Sequence, residues 1–326
     1  MSKKRGKIVV ELAQFDVLGD VLDSLGLKSR LFCRSELAAP WVIHFGGADA
    51  MHFHIIERGT AWLEVGAKQP ARALAPGDVV VVGRGQGHRL SDQPGRSDLA
   101  PIIFPDPPDD GRCTVVRHGQ AGGGTVMICG SFAFQHAAGH PLLALLPRLM
   151  QIKSASGPSR AWVGPVARML TAEAAQMRPG AQTIISHLTD VLFVQVLRDW
   201  ISDGAAAPGW LMALNHPQIG PVLAAVHERP DAQWTVERLA ARARLSRTAF
   251  SARFAKVVGE PARKYLMRLR MQRAANLLAQ GPLSISDVAE STGYESEAAF
   301  SKAFKRWHGK TPGEMRRDTG PASPLR

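Results

Sequence analysis

Trp234–Val258 reads WTVERLAARARLSRTAFSARFAKVV, and Ser284–His308 reads SISDVAESTGYESEAAFSKAFKRWH. In the first stretch, Thr235 caps a helix that contains Leu239, Ala240 and Ala243. The chain turns near Arg244–Leu245, and Ser246 caps a second helix with Phe250 and Phe254 four apart on one face. Small residues at the contact let the two helices cross closely. The apolar residues after the turn bury the rear of the second helix and leave its front free, which is the logic of a helix-turn-helix. The second stretch repeats the arrangement: Val288–Ala289 matches Leu239–Ala240, Tyr294 matches Leu245, and Phe300 and Phe304 match Phe250 and Phe254. The offset is 49 residues at Leu239/Val288 and 50 at Phe250/Phe300, so the second turn is one residue longer. A single such pattern can be imitated by any helical hairpin, whereas two at matched spacing are a much stronger signal. Between them, Ala262–Ala279 reads as one long helix. Its inward positions are Tyr265, Leu266, Leu269, Ala274 and Leu277, with Arg263, Lys264, Arg268, Arg270 and Arg273 outward.

The basic excess sits in the same part of the chain. His216–Arg326 holds 19 Lys and Arg against 10 Asp and Glu, a net of +9, while Met1–Asn215 holds 21 against 18. A local excess of this kind favours a polyanion, nucleic acid first and a membrane surface second. The 326 residues suffice for about two domains, and 45% hydrophobic content excludes disorder and fibrous repeats. Cys33, Cys113 and Cys129 are too few and too scattered for a disulfide framework, which points to a reducing compartment. The basic start at Lys3, Lys4, Arg5 and Lys7 is followed by an apolar run ending at Glu11, too short for a signal peptide. The longest apolar region, Ile184–Ile201, is broken by His187, Asp190, Gln195, Arg198 and Asp199, so it reads as an amphipathic helix. The expectation is a soluble cytoplasmic protein with no membrane partner.

Upstream, Val17–Gly26 reads as a short helix. From Ser29 to Cys129 short apolar runs bounded by Gly, Pro and Asp predict many short strands, among them Trp41–Phe45, Phe53–Ile56, Ala61–Val65, Val79–Val82 and Thr125–Cys129. The proline-rich Asp92–Gly111 predicts a loop, broken by a brief strand near Ile102–Phe104. Helical periodicity follows in Pro141–Leu146, Trp162–Gln176 and Thr183–Ile201. The last presents Ile184, Leu188, Val191, Leu192, Gln195 and Leu197 along one side, either to pack on the strands or to dimerise. Gly204–Gly209 (GAAAPG) is the linker candidate. The fold class is α+β: an N-terminal barrel with packed helices over 1–203, a linker over 204–215, and an all-α domain with two helix-turn-helix units over 216–326.

From His216 to Arg317 the sequence resembles the AraC family of transcription regulators, above all in the block DVAESTGYESEAAFSKAFKRWHGKTPGEMR. One departure is Arg244, where the first turn of the family often has Gly; a side chain there adopts a left-handed conformation at some cost. The resemblance implies recognition helices at Ser246–Val257 and Ser296–Trp307, each entering a major groove on one face of DNA. Base edges would be read by Arg247, Thr248, Ser251 and Ala252 in the first and by Glu297, Ala298, Ser301 and Lys302 in the second. Arg253, Lys305, Arg306 and the bridging-helix Arg268 and Arg273 would contact phosphates, which set position but not sequence. The expected partners are double-stranded promoter DNA, RNA polymerase, a small-molecule or oxidant effector, and a second copy of the chain in a homodimer.

Gly46-x5-His52-x-His54-x2-Glu57 and Gly77-x5-Gly83-x-Gly85-x2-His88-x3-Asp92 resemble the two cupin motifs. Gly83 stands for the usual Pro, Asp92 for the usual Asn, and the His54–Glu57 spacing is shorter than in cupins that bind metal. The whole chain resembles AraC-type regulators with a cupin-like N-terminal domain, for which no cofactor is required. In a working cupin, three His and a Glu hold a divalent metal. His52, His54 and His88 are the candidates for such a site here. The alternative is that His54 and His88 are hydrogen-bonded core residues. Cys33 and Cys129, on or beside strands, are either inert buried thiols or, with His54 and His88, the site where an effector or oxidant is sensed. The competing function is a cupin-type metal-dependent enzyme with an accessory helical domain.

Overall fold

The computed structural model describes residues 15–66, 69–103, 114–119, 124–135, 141–153, 160–176, 178–202 and 209–319. Cys113, most of the linker candidate, and the lysines and arginine at the start of the chain lie outside the described residues. The chain forms two compact units, Leu25–Ala207 and a discontinuous one made of Met1–Ser24 and Pro208–Arg326.

The Leu25–Ala207 unit is built on strands β1 (Leu27–Leu37), β2 (Val42–Phe45), β3 (Met51–Arg58), β4 (Ala61–Val65), β5 (Arg72–Leu74), β6 (Val79–Val82), β7 (His88–Ser91), β8 (Thr114–His118), β9 (Thr125–Phe134) and β10 (Leu149–Ile152). One sheet runs β10-β6-β3-β9-β1-β8 and the other β2-β7-β4-β5. Pairing is antiparallel except between β1 and β8. Inward residues of both sheets form one apolar core that includes Leu37, Trp41, Ile43, Leu63, Val80, Leu90 and Met127. The period-2 alternation of strands decides which side chains reach it. On β3, His52, His54 and Ile56 share the inner face, and Phe53 between them points outward.

Helices α2 (Pro141–Leu145), α3 (Arg160–Gln176) and α4 (Ala181–Ser202) complete this unit. Phe53 stacks on Phe132 with ring centroids 4.8 Å apart, and Phe132 meets Phe193 of α4 at 4.7 Å. That stack explains Gly130: a Cβ there would lie 2.4 Å from Phe53 Cε1. The buried face of α4 is Ile185, Thr189, Leu192, Phe193, Val196, Leu197 and Ile201. The stripe expected from sequence is therefore only partly the packing face, because Ile184 and Val191 are 40% and 46% exposed. The helix carries apolar residues on more than one side, so a stripe drawn from periodicity overlaps the packing face at Leu192 and Leu197 without matching it.

The discontinuous unit contains α1 (Val17–Leu25, up to Ser24), α5 (Trp210–Ala213), α6 (Gly220–Glu228), α7 (Val236–Arg242), α8 (Arg247–Val258), α9 (Ala262–Gln280), α10 (Ile285–Ser291), α11 (Glu297–His308) and α12 (Pro312–Thr319). Thr235, Ser246, Ser284 and Ser296 each accept a backbone N–H with the side chain, and Ser284 completes a capping box with Asp287. Phe300 and Phe304 are buried with Met271, Ala274, Leu278, Val288 and Ala289, so α9 forms the back wall of the second helix-turn-helix. Phe250 and Phe254 are equally buried in the first. Placing α1 in this unit differs from a boundary that assigns 1–203 to the barrel. The reason is polar contact: Asp20 Oδ2 lies 2.7 Å from His227 Nδ1, and Asn276 Nδ2 donates to Ser24 O at 2.7 Å.

Candidate functional site

The two motif helices present matching faces. The rear of α8 is closed by Phe250, Phe254 and Val258, and the rear of α11 by Phe300 and Phe304. Arg247, Thr248, Ser251, Ala252 and Arg253 of α8 are exposed, as are Glu297, Ala298, Lys302, Lys305 and Arg306 of α11, with Ser301 half-buried. Arg247 Nη1 lies 3.1 Å from Glu237 Oε1, an exposed pair that aims the first side chain of α8. The turn at Arg244 has φ +55°, and its counterpart Gly293 has φ +79°. Only the second turn demands glycine by contact, since a Cβ on Gly293 would lie 2.6 Å from Asp231 O.

The bridging helix α9 differs from expectation. Arg263, Lys264 and Arg273 are exposed, but Arg268 and Arg270 are not outward residues. Arg268 donates to Glu260 Oε1 from Nε at 2.9 Å and Nη2 at 2.6 Å, and lies over the Tyr265 ring at 4.7 Å. Arg270 donates to Pro230 O and Ala232 O, both at 2.8 Å. A guanidinium offers five donors, and here they tie the bridge to the loops before α7 and before α9. Arg268 is therefore corrected from a phosphate contact to an internal brace.

In the barrel, register places Cys33 opposite Cys129 and Cys129 opposite His54, so β1, β9 and β3 contribute one transverse row. His54 Nδ1 lies 3.1 Å from Cys129 Sγ, and His54 Nε2 lies 2.8 Å from His88 Nε2 of β7 in the facing sheet. Phe45 stacks on His88 at 4.7 Å and 5°. Burial pushes His54 well below the ordinary imidazole range and His88 down to about 3, so both rings are neutral at physiological pH. The carbonyl Gln86 O, 3.5 Å from His88 Nδ1, can only accept, so Nδ1 carries the proton. His88 Nε2 then accepts from His54 Nε2, and His54 Nδ1 is left to accept from the Cys129 thiol. Hydrogen bonding with Cys129, and with Ser35 at 3.3 Å, holds Cys33 below the usual thiol value against the opposing effect of burial.

Comparison with known proteins decides the family. Residues 16–202 match the family described as Cupin, and residues 239–318 the family described as Helix-turn-helix domain. The chain is 32% identical over 311 residues to the HTH-type transcriptional regulator AlkR of Acinetobacter baylyi, covering 93% of this chain and 100% of that one. It is 33% identical over 304 residues to a putative AraC-like transcription regulator of Streptomyces lividans, covering 93% and 98%. The chain belongs to the AraC family of transcription regulators. A further relative of this regulator is the RCS-specific HTH-type transcriptional activator RclR of Escherichia coli K12, 29% identical over 282 residues, covering 86% and 89%. Among solved structures, the DNA-binding domain of AdpA, the global transcriptional factor, in complex with a target DNA is 33% identical. It covers 30% of this chain and 89% of that one with a TM-score of 0.30. This AraC-type regulator is a DNA-binding protein with a cupin-like N-terminal domain.

The cupin domain of the regulator departs from a metal-binding cupin at the carboxylate. Glu57 lies on the other face of β3 from His54 and takes Arg34 Nε at 3.0 Å and Nη2 at 3.1 Å. The three-His-one-Glu set is not assembled: His54 and His88 spend their Nε2 atoms on each other and their Nδ1 atoms on Cys129 and Gln86 O. Among the described residues, no group of three or more His, Cys, Asp or Glu is placed to hold a metal ion. Among the described residues, no helix is long and apolar enough to cross a membrane. Sequence reasoning found the histidines by motif and the cysteines by their place on or beside strands, but missed their common row, because register is invisible without the strand pairing. It also missed His227, buried between Asp20 and Tyr265, whose hydroxyl lies 2.8 Å from Nε2. No periodic signal marks a histidine that is satisfied by two residues so distant in sequence.

Proposed function

We propose that this regulator reads promoter DNA with α8 and α11 together, and that a small-molecule or oxidant signal received inside the barrel controls the reading. The observation that carries the proposal is the pair of exposed recognition faces on buried aromatic backs, repeated at matched spacing. Arg253, Arg273, Lys305 and Arg306 supply phosphate contacts around them. The barrel works without a resident metal, which the engagement of Glu57 by Arg34 supports, and the chain is a regulator and not an enzyme. RNA polymerase and a second copy of the chain are the further protein partners; the exposed Ile184 and Val191 on α4 support the homodimer.

The test is selection of duplexes from a random library by the full chain, followed by competition at increasing salt. A defined sequence preference, with affinity falling steeply as salt rises, is expected because phosphate neutralisation releases counterions. Equal retention of all sequences refutes the proposal.

A further inference from the structure

We propose that Cys33 and Cys129 form a two-electron thiol switch, in which a small neutral oxidant of the peroxide or hypohalous acid class joins them in a disulfide that changes the DNA affinity of the regulator. This rests on reading the barrel as the sensory unit and names the chemistry it senses.

Three features of the barrel carry the inference. The first is register. Cys33 and Cys129 are direct partners on adjacent antiparallel strands, just after the irregularity between Leu31 and Cys33. Residues directly opposite have Cα atoms about 4.5–5.5 Å apart, within the span a disulfide bridges. A hydrogen bond between the two thiols is also the largest cause that holds Cys33 below the usual thiol value.

The second is proton handling. His54 Nδ1, 3.1 Å from Cys129 Sγ, is the acceptor in the tautomer fixed by Gln86 O and His88. In the first step Cys33 Sγ attacks the oxidant. With a peroxide the S–O bond forms, the O–O bond breaks, and the Cys33 proton leaves on the expelled oxygen; with a hypohalous acid the S–halogen bond forms, the O–halogen bond breaks, and the Cys33 proton leaves with the hydroxide as water. In the second, Cys129 Sγ attacks Cys33 Sγ, forming S–S and breaking S–O or S–halogen. His54 takes the Cys129 proton and returns it to the departing hydroxide or halide, which leaves as water or hydrogen halide. Two thiols lose two electrons, and the oxidant gains two.

The third is selection by burial. Cys33 and Cys129 are 2% and 0% exposed and lie in the apolar core with Leu37, Ile43, Val80 and Met127. Charged or bulky oxidants are excluded by desolvation and size. Small neutral species pass.

The strand on which Cys33 sits also begins two residues after α1 ends, and α1 is the segment held by His227 and Asn276 in the DNA-binding unit. A covalent bond across β1 and β9 thus acts on a strand continuous with that helix.

The experiment uses the reduced full chain, a duplex selected by that chain, and three oxidants: hydrogen peroxide, hypochlorous acid and glutathione disulfide. The expected product with the first two is a Cys33–Cys129 disulfide by peptide mass mapping. Kd should change at least five-fold and be restored by dithiothreitol. Cys33→Ser and Cys129→Ser should bind the duplex like the reduced chain and stay unresponsive, while Cys113→Ser responds. If either serine variant misfolds, Cys33→Ala and Cys129→Ala replace them. A linkage that never forms, a linkage without change in Kd, or glutathione disulfide reacting as fast as peroxide overturns the switch. Selective DNA binding with no oxidant response defeats the switch alone; loss of all sequence preference defeats the regulator reading and the switch with it.

Discussion

Lowering the pH from 7 to 5 destabilises the barrel through His88. Its ring is 2% exposed, stacked on Phe45, and bonded at Nε2 to a second neutral imidazole. Burial pushes its pKa down to about 3, whereas an imidazole in the unfolded chain titrates near ~6.5. The folded value is the depressed one, so the unfolded state takes the proton first. Stability is full above the unfolded pKa and falls as pH drops below it, continuing until the folded pKa is reached. At pH 5, ~1.5 units below the unfolded pKa, the linkage amounts to about 2 kcal/mol. The variant His88→Phe keeps an aromatic ring against Phe45 and removes this titration. Urea unfolding of both proteins at pH 7 and pH 5 is the assay. The wild type should lose about 2 kcal/mol more than the variant between the two pH values. His54 contributes in the same direction in both proteins and cancels to first order. Identical pH dependence in the two would refute the reasoning, because His88 would then bind its proton as readily folded as unfolded.

Arg247→Ala and Lys302→Ala should each change the preferred DNA sequence, costing about 1–3 kcal/mol on the best duplex, read by repeating the selection with each variant. Arg273→Ala should instead weaken all duplexes alike and lower the salt slope by about 1 in a titration series. Arg244→Gly should stabilise the chain by about 1 kcal/mol in thermal unfolding with DNA preference unchanged, since the side chain at φ +55° sits in a region that costs L residues. Tyr265→Phe removes the hydroxyl beside buried His227 and should cost about 1–3 kcal/mol in the same assay.

The carboxyl-terminal architecture was readable because several local signals agreed. The serine and threonine caps, the aromatic pairs four apart and the repeat at 49 or 50 residues all pointed to the same helices, which the structure places within a residue. The barrel was readable in outline only. β1 was not singled out because LKSRLFCRSEL mixes basic and acidic side chains among the apolar ones. Beyond the irregularity at Phe32 its alternation places Cys33, Ser35 and Leu37 inside, and that becomes informative only once its neighbours β8 and β9 are known. Arg268 and Arg270 failed for a related reason. Charge on a helix reads as exposure, but a guanidinium can be turned inward when backbone carbonyls or a carboxylate such as Glu260 await it, and those partners come from other elements.

The discontinuity of the DNA-binding unit has a bearing on how the protein is made. During synthesis α1 leaves the ribosome ahead of the barrel, yet the groups that hold it, His227 and Asn276, emerge only after the entire barrel. Domains generally fold as they appear, amino-terminal first. The barrel can therefore close while α1 still lacks its partners, and the unit that forms after it must recruit a helix made before it. A nascent regulator truncated before Asn276 would possess a finished sensor and a helix not yet fully claimed, so competence to bind DNA waits for residues made after the whole barrel.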